Sequence, residues 1–532
     1  MSTVQAASAE AEIPAPRKAW LPELRTVYDL ADQESVPSRR TDVELVFGVR
    51  DDPENQAQPT IAFHPDRDGN LAVYGAGGSG KSTLLRSLAV AAGFTIRGGP
   101  CQIYGIDFGA RGLSMLEELP HVGSVIDGSD HERIVRLLTQ LRGVIDERAV
   151  AYSQVNASTI TEFRRLANKP DEPRLILMVD GVAAFRQAYE PTERSRWFDV
   201  FTSIAAEGRP VGVHVILSSD QRSGLTLALA SAVQSRIVLR LANEDDYGML
   251  GVPKDVLSSA SPQGRGLIGE SEIQVAVLAG TDDVVRQAAA IRTFGAAMTR
   301  ANVPAAPPIE RLTTKVAVSD LPTDPAGPAI GRMGSSLGPC VIEPRGTFIV
   351  TGPPGTGRTT SLRGIIEAIQ RWRPDTQFHY FGNRRSSLTE LGCWTTTALT
   401  PPEIGERAEA LAGELTGPAE SAPTVVVIEG VAEMVGGLAE EPLHALVRAC
   451  LSEDQFVIAE GETSSLSASF GLLGAVKTSR TGIALGPDQA DGMTVFRTNF
   501  PRVVRSEFPP GRALYVALGR TEVVQVAVAD EL

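Results

Sequence analysis

Cysteine is scarce in this sequence, and the few cysteines lie far apart. Cys101, Cys340, Cys393 and Cys450 are the only four among 532 residues, and no two of them form a CxxC pair. This spacing provides neither a zinc-ligand set nor a disulfide framework, so we expect a protein of the reducing cytoplasm.

Long apolar runs are missing as well. No uninterrupted apolar stretch approaches the about 20 residues that a membrane-spanning helix needs. The N-terminal residues, MSTVQAASAEAEIPAPRKAW, have no apolar core of a signal peptide. We therefore expect the polypeptide itself to be soluble.

Positive charge is in deficit. Lys and Arg number 50 against 64 Asp and Glu, which gives a net charge of −14. Sequence-independent binding to a phosphodiester backbone comes from clustered Lys and Arg. This acidic net charge argues against a DNA partner, although a local stripe of basic residues is compatible with the same net charge.

A glycine-rich loop is the most informative feature that is present. The apolar run Leu71–Tyr74 leads into a GxxxxGK(S/T) loop, and an amphipathic segment follows it. Glycines let backbone N–H groups approach phosphate oxygens, Lys81 can meet the β- and γ-phosphates, and Ser82 can hold Mg²⁺. An ordinary glycine-rich turn is the alternative, which the Lys-Ser pair and the flanking pattern disfavour. The predicted ATP·Mg²⁺ site comprises Gly75, Ala76, Gly77, Gly78, Ser79, Gly80, Lys81, Ser82 and Thr83.

The sequence contains an altered second copy of the same pattern. RLILMVDGVA, which ends its strand at Asp180, recurs as TVVVIEGVA with Glu429, and PQGRG at 262–266 recurs as PPGRA at 509–513. The acidic residue and the later proline are 82 residues apart in the first copy (262 − 180) and 80 in the second (509 − 429). Three features in one order at nearly one spacing indicate an internal repeat. The second loop consists of Gly352, Gly355, Thr356, Gly357, Arg358, Thr359 and Thr360.

The order of apolar runs and helical periods predicts the fold. Buried β-branched runs alternate with amphipathic helices, which is typical of βαβ units around a parallel sheet. We predict an α/β protein with two tandem, doubly wound P-loop domains. Residues 1–40 are predicted as an extension with a docking element at Trp20-Leu21-Pro22, 41–300 as the first domain, 301–328 as a Pro/Ala-rich linker and 329–532 as the second domain.

Three blocks carry a family resemblance. GRPVGVHVILSS at 208–219, SRIVLRLANEDDYGMLG at 235–251 and PQGRGLIG at 262–269 resemble the FtsK/SpoIIIE class of RecA-like ring ATPases. Within it, WLPEL at 20–24, GVRDDPENQAQPTIAF at 48–63 and FPPGRALYVALGRTEVVQVAV at 508–528 look most like the two C-terminal ATPase domains of EccC, the motor of actinobacterial type VII (ESX) secretion. Because neither a transmembrane pair nor a first ATPase domain precedes Trp20, the resemblance implies the soluble half of a split EccC or a fragment of a longer one.

The resemblance assigns roles to the acidic residues and shows what is missing. Asp180 would hold Mg²⁺ through water, but Gly181 stands where the class carries the water-orienting Glu. In the second copy Arg358 replaces the loop Lys, Glu429 replaces the Mg²⁺-side Asp and Gly430 again replaces Glu. We expect the first domain to bind ATP·Mg²⁺ and hydrolyse it poorly unless Asp107 or Asp220 substitutes, and the second to bind little nucleotide.

The resemblance also implies a function and partners. The chain would be a nucleotide-binding component of a type VII secretion motor whose second domain recognises WXG-type export substrates. A membrane-anchored EccC-type half, other ESX membrane components and ring formation are implied, with the chain cytoplasmic and held at the inner face of the plasma membrane by its partners. Alternatives are an FtsK-like DNA translocase, or a scaffold in which the second copy only packs. The candidates for an arginine offered to a neighbouring nucleotide are Arg133, Arg142, Arg209 and Arg236.

Overall fold

The structure is a computed structural model that describes residues 21–33, 42–93, 100–192, 194–417, 422–504 and 507–530. These residues form two compact units, and the division falls between Glu310 and Arg311. That point lies inside the segment 301–328 predicted as a linker. Trp20 of the predicted docking element lies outside the described residues, whereas Leu21 and Pro22 lie within them.

The first unit is built on one mixed sheet. In the described part its strand order is β3-β2-β11-β10-β9-β4-β8-β7-β5-β6, with β1 paired to β11. The strands from β9 to β6 are mutually parallel, and those from β3 to β9 are antiparallel to their neighbours. The strands are β1 (Tyr28–Asp29), β2 (Leu45–Arg50), β3 (Thr60–Phe63), β4 (Leu71–Tyr74), β5 (Cys101–Asp107), β6 (Val122–Asp127), β7 (Arg174–Asp180), β8 (Val213–Ser219), β9 (Ser235–Leu239), β10 (Arg265–Ile268) and β11 (Ser271–Val277).

Helices cover both faces of this sheet. Along β4, Leu71 and Val73 belong to one buried core, whereas Ala72 and Tyr74 belong to the core on the other face. A parallel strand buried on both sides is what the continuous apolar runs predict, so the doubly wound prediction is confirmed. The helices are α1 (Leu30–Gln33), α2 (Pro65–Asp68), α3 (Lys81–Gly93), α4 (His131–Gln154), α5 (Ile160–Leu166), α6 (Val182–Tyr189), α7 (Ser195–Glu207), α8 (Leu227–Ala232), α9 (Asp245–Met249) and α10 (Val284–Arg300).

The second unit repeats this topology strand for strand. Its order is β13-β12-β21-β20-β19-β14-β18-β17-β15-β16, so β14 takes the place of β4 and β17 that of β7. The strands are β12 (Ala329–Met333), β13 (Pro339–Val341), β14 (Gly346–Thr351), β15 (Gln377–Phe381), β16 (Trp394–Ala398), β17 (Thr424–Ile428), β18 (Phe456–Gly461), β19 (Thr481–Leu485), β20 (Arg512–Ala517) and β21 (Arg520–Val526). The α-helices are α11 (Arg358–Trp372), α12 (Pro401–Leu415), α13 (Glu440–Ser452) and α14 (Gly471–Val476).

A short segment near the start of each unit, residues 24–29 in the first and 312–317 in the second, packs on the sheet of that unit and is called its strap. In the first unit the Arg265 guanidinium donates to the carbonyl oxygens of Leu24 (2.8 Å) and Arg25 (3.1 Å). In the second unit Arg512 donates in the same way to Leu312 (2.9 Å) and Thr313 (3.1 Å). The first strap comes from the predicted extension and the second from the predicted linker. Both are therefore integral parts of their units.

Candidate nucleotide site

The glycine-rich loop lies where the parallel strands end. It connects β4, which ends at Tyr74, to α3, which begins at Lys81. Gly78 and Gly80 have φ angles of +71° and +108°, which favour glycine. A Cβ atom on Gly80 would lie 2.7 Å from the backbone nitrogen of Gly264, whereas one on Gly77 or Gly78 would meet no described atom within 4 Å. The loop is therefore packed on one side and open on the other, as a phosphate cradle requires.

Lys81 is folded onto its own loop. Its Nζ donates to the carbonyl oxygens of Gly75 (2.6 Å) and Ala76 (3.0 Å), and it lies 2.7 Å from Oδ1 of Asp220. The buried Ser79 hydroxyl in the same loop has no hydrogen-bond partner among the described residues. An anion in the cradle would give both groups a negatively charged partner, so the loop fits a triphosphate.

Ser82 and Asp180, the two residues predicted to hold Mg²⁺, are in contact. The Ser82 hydroxyl donates to Oδ2 of Asp180 at 2.6 Å, and the Ser218 hydroxyl donates to Oδ1. A hydroxyl oxygen beside a buried carboxylate is a suitable oxygen-ligand set for Mg²⁺ that arrives with a nucleotide. When bound, the ion would neutralise phosphate charge next to these two side chains.

Gly181 stands where the resemblance predicts a water-orienting Glu. Its φ angle is +86°, and that of Gly430 in the second unit is +69°. The Gly181 N–H donates to the Ser218 hydroxyl (2.8 Å), and this bond holds the turn after β7 in place. A side chain in this left-handed conformation is strained, so both units have a backbone shaped for glycine at this position.

Asp107 is a second acidic side chain next to Asp180 at this end of the sheet. It is paired in register with Asp180 across β5 and β7. Its Oδ1 accepts from the Gly109 N–H (2.9 Å) and its Oδ2 from the Leu113 N–H (3.0 Å). Burial raises the pKa of Asp107, and the charge of Asp180 adds to the increase. Of the two suggested substitutes for the missing Glu, Asp107 lies beside the magnesium carboxylate, whereas Asp220 pairs with Lys81.

The second loop is closed by an internal ion pair. Nη1 of Arg358 donates to the carbonyl oxygen of Gly352 (3.0 Å), and its Nε lies 2.9 Å from Oε1 of Glu460. Oε2 of Glu460 accepts from the Gly430 N–H (2.9 Å), so Glu460 takes the place that Ser218 has in the first unit. The buried Glu460 carboxylate is thus paired with the Arg358 guanidinium, the cation that would otherwise contact a phosphate.

The residues around the second loop also differ from those of the first site in ways that disfavour nucleotide binding. Glu429 accepts from the hydroxyls of Thr359 (3.2 Å) and Tyr380 (2.5 Å). Gly382, one residue past β15, stands where Asp107 stands in the first unit, and a Cβ atom there would lie 2.5 Å from the Tyr380 hydroxyl. Beside Pro353, a cavity of about 270 Å³ is lined by three carboxylates, those of Glu462, Asp488 and Asp491. The second site is therefore poorly suited to a triphosphate.

The four arginines suggested as candidates for a neighbour's nucleotide are all engaged within the first unit. Arg142 binds Asp146 and Glu207, and these bonds raise its pKa. Arg209 donates to the carbonyl oxygens of Asp66 and Arg67, and Arg236 to that of Leu250. Arg133 donates to the Ile309 carbonyl oxygen (2.6 Å) and to the Ser124 hydroxyl (2.9 Å).

Sequence reasoning missed Glu460 and the two strap arginines. Glu460 lies 102 residues after Arg358 (460 − 358), inside an apolar strand that gave no signal of function. The repeated GR of PQGRG and PPGRA was recognised only as a marker of the repeat. Its Gly264 N–H donates to the Ser79 carbonyl oxygen (2.9 Å), so this turn also supports the nucleotide loop.

Comparison with known proteins identifies the fold of this site. The model of the FtsK/SpoIIIE family matches residues 26–257. Over these residues the first unit is similar to the FtsK/SpoIIIE family. The second unit repeats its topology, so the predicted fold of two tandem, doubly wound modules is confirmed.

Relatives with known names belong to ESX secretion systems. The ESX-4 secretion system protein EccC4 of Mycobacterium tuberculosis is 28% identical over 67% of this chain and 29% of its own length. The ESX-1 secretion system protein EccCb1 of the same organism is 25% identical over 66% of this chain and 62% of its own length. The chain thus covers less than two thirds of each of these relatives, and it resembles EccC as predicted.

Solved structures that contain two such modules in one chain have the same fold. A structure of Thermomonospora curvata EccC, ATPases 2 and 3 in complex with a signal sequence peptide, has a TM-score of 0.74 at 23% identity and covers 96% of this chain. ATPases 2 and 3 of EssC from Geobacillus thermodenitrificans give 0.74 at 18% identity and 97% coverage. At these identities the likeness shows the fold alone. Across the described residues, no helix is both long and apolar enough to cross a membrane.

Proposed function

We propose that this chain is a nucleotide-binding motor component of a type VII (ESX) secretion system, in which the first module binds ATP·Mg²⁺ and the second recognises export substrates. The observation that carries the nucleotide assignment is the meeting of an open glycine loop, Lys81 and the Ser82–Asp180 pair at one end of the sheet. Intrinsic hydrolysis is weak in this proposal because glycine replaces the water-orienting Glu in both modules.

Calorimetry on the full chain tests the nucleotide assignment. Lys81→Ala should abolish ATP·Mg²⁺ binding, because Lys81 is the cation that faces the cradle. Arg358→Ala is the matched control in the second module and should leave the affinity unchanged, because Arg358 is paired with Glu460. Unchanged ATP affinity in a folded Lys81→Ala protein would refute the assignment.

We assign substrate recognition to the second module because apolar side chains are exposed on its surface. Phe470, at the start of α14, is 79% exposed, and Met493 is 56% exposed. A cavity of about 230 Å³ in the same part of the module is lined by Lys477, Arg480 and Arg497. An amphipathic helix with an acidic residue near its apolar anchors would match this combination. In the EccC structure named above a signal sequence peptide is bound, which supports this type of ligand.

A labelled C-terminal peptide of a WXG-type substrate provides the probe for this surface. Phe470→Asp in the full chain should weaken peptide binding at least ten-fold, since an exposed aromatic anchor would be lost. Leu227→Asp is the control, because Leu227 is also largely exposed (89%) but lies in the first module. If only Leu227→Asp weakened binding, the recognition role would belong to the first module.

The FtsK-like DNA translocase is the second candidate function. The family match is compatible with it, but the net charge of −14 and the missing Glu in both modules count against it. In our proposal the chain acts on the cytoplasmic side of the plasma membrane with a membrane-anchored EccC-type ATPase, other ESX membrane components and a ring of like subunits.

A further inference from the structure

Three basic side chains line one cavity of the second unit. Lys477, Arg480 and Arg497 border a space of about 230 Å³, which we call the basic cavity. In a chain with a net charge of −14, this is a local reversal of the overall charge. None of the described lining residues is acidic, and three carry hydroxyl groups: Ser469, Thr478 and Thr494.

The three cations lack an acidic partner. Lys477 is 9% exposed, and its Nζ donates to a neutral acceptor, the carbonyl oxygen of Leu466 (2.8 Å). Burial lowers the pKa of Lys477, and the positive charge of Arg497 lowers it further. Among the described residues, no Asp or Glu forms an ion pair with Lys477, Arg480 or Arg497. Because charged groups are seldom buried unless they are paired, an anion in the cavity would supply the missing partner.

The backbone around the two arginines is unusual. The φ angles of Arg480 and Arg497 are +51° and +52°, in the left-handed region that few non-glycine residues adopt. Arg497 directly follows a π-helix, Gly492–Phe496, and such single turns of π-helix are rare and frequent at functional sites. Residues held in sparsely populated backbone regions also cluster at ligand sites. The fold thus brings both arginines to the cavity through backbone conformations that cost free energy.

The first unit has uncharged residues at the corresponding places. Gln234 precedes β9 as Arg480 precedes β19, and both strands pair in parallel with the strand that leads into the loop of their unit. Counted from the Gly-Met pair that the two units share at 248–249 and 492–493, Pro253 corresponds to Arg497. The two arginines of the basic cavity therefore belong to the second unit and are not part of the repeated pattern.

The size and charge of the cavity favour a small, doubly charged anion. Its volume of about 230 Å³ lies below the about 300–1,000 Å³ of sites for drug-sized ligands. It is still several times the about 30 Å³ that one water molecule takes up in the liquid. A phosphate group carries about −1.5 to −2 charges near pH 7 and several strong acceptor oxygens. It would pair with more than one cation, whereas a carboxylate carries a single charge.

We propose that the basic cavity binds a phosphate group, supplied either as free phosphate or as the head group of an anionic lipid. Arg480 and Arg497 donate to the phosphate oxygens, and the more buried Lys477 contributes a third positive charge. The acidic residue of an export substrate is assigned above to the same cavity. The inference therefore deepens the proposed function, and it rests on that function for its regulatory consequence, which is that phosphate competes with the substrate.

Hydrogen exchange of the full chain with orthophosphate, in the absence of nucleotide and peptide, tests the site. Phosphate should slow exchange in residues 469–480 and 492–497. Arg480→Gln combined with Arg497→Gln should raise the phosphate concentration for half-maximal protection at least ten-fold, because two of the three cations are lost. Both arginines are exposed, so the fold should persist, and unchanged exchange in the rest of the second unit verifies this.

Two controls accompany this measurement. Arg520→Gln is the matched variant, since Arg520 is an exposed arginine of the same unit that does not line the cavity, and it should leave the protection unchanged. Exchange in residues 75–83 reports any phosphate in the first loop, and it should be the same in all variants.

Vesicles of phosphatidylcholine, with and without phosphatidic acid, distinguish the two sources of the phosphate. The exposed Phe470 and Met493 directly adjoin the lining residues Ser469 and Thr494, so apolar side chains flank the cavity. Co-sedimentation that requires phosphatidic acid and is lost in the double variant would identify the lipid head group. Protection by orthophosphate without vesicle binding would identify free phosphate.

Binding of neither ligand, or binding that the double variant leaves unchanged, would overturn the proposal. Because nucleotide and export peptide are absent from both experiments, this failure would leave the proposed function standing.

Discussion

At the residue scale, the two modules differ most where their central strands end. The backbone is nearly the same in both, but the side chains that face the loop have changed together. In the first module these side chains are placed to bind a triphosphate with Mg²⁺, whereas in the second they form hydrogen bonds and an ion pair with one another. The corresponding pairs are Lys81 and Arg358, Asp180 and Glu429, Ser218 and Glu460, and Asp107 and Gly382.

A triple substitution should recreate a nucleotide site in the second module. Arg358→Lys, Glu429→Asp and Glu460→Ser would remove the internal ion pair and restore the residues of the first module. Calorimetry should then find about two ATP per chain instead of one, with weaker binding at the new site because the acidic cavity beside Pro353 remains. Arg358→Lys alone should not suffice, since Glu460 would still hold the cation. A triple variant that stays at one ATP, with the fold intact, would show that other features exclude nucleotide.

Asp107 is expected to support the residual turnover of the first module. Wild-type hydrolysis should lie well below the about 1–10³ s⁻¹ of typical enzymes. Asp107→Asn should lower it by a further about 10² or more, as loss of a general base does, while ATP affinity is retained. Because a base acts deprotonated, wild-type turnover should fall on acidification through the raised pKa of Asp107.

The control for this prediction is Asp220→Asn. It removes the partner of Lys81 but leaves the Asp107–Asp180 pair in place, so it should change affinity more than turnover. Steady-state hydrolysis of several per second in the wild type, unaffected by Asp107→Asn, would show that another group orients the water.

At the scale of elements, the straps extend each module beyond the boundaries that its sequence suggests. Leu30 and Val318 are buried at corresponding places. The first strap pairs with β11, and the second pairs with Val528, two residues past the end of β21. The clamping arginines are themselves buried and also bind Gln274 (2.9 Å) or Gln525 (2.9 Å). A strap held by one guanidinium is a local unit of stability.

Arg265→Ala should release the first strap without unfolding the module. Removing the Arg265 guanidinium leaves the buried carbonyl and amide oxygens that it binds without a donor, at about 1–3 kcal/mol for each buried acceptor. Hydrogen exchange in residues 24–30 should accelerate strongly, while exchange in 312–318 stays unchanged. Arg512→Ala should give the reverse pattern and serves as the matched control. Equal protection of both straps in Arg265→Ala would show that apolar packing alone holds them.

At the scale of the whole molecule, net charge bears on which of the two candidate functions is favoured. A net charge of −14 repels another polyanion. This electrostatic repulsion grows as the salt concentration is reduced. This favours protein partners over nucleic acid.

Binding to a fluorescent 30-base-pair duplex should therefore be undetectable at physiological salt. A local basic patch, which the net charge of the whole chain does not reflect, would be detected as tight DNA binding with a steep salt dependence. Such binding would replace the secretion proposal by the translocase.

Some of this protein was predictable from sequence because the information is contiguous. The apolar run, the glycine loop and the helix that begins at Lys81 form one short segment, so the strand, loop and helix could be located from sequence. The repeated order of three features was enough for two tandem doubly wound modules, since each parallel strand buries both faces and must be apolar throughout.

Only the tertiary structure decided which distant residues meet. Asp107 stands beside Asp180, Glu460 pairs with Arg358, and Arg265 clamps Leu24, 241 residues away. A parallel sheet brings the ends of its strands to one edge whatever their separation along the chain, and the crossover helices that separate them give no sign of which ends become neighbours. For this reason the sequence predicted a weakened second site, but only the fold revealed the internal carboxylate that fills it.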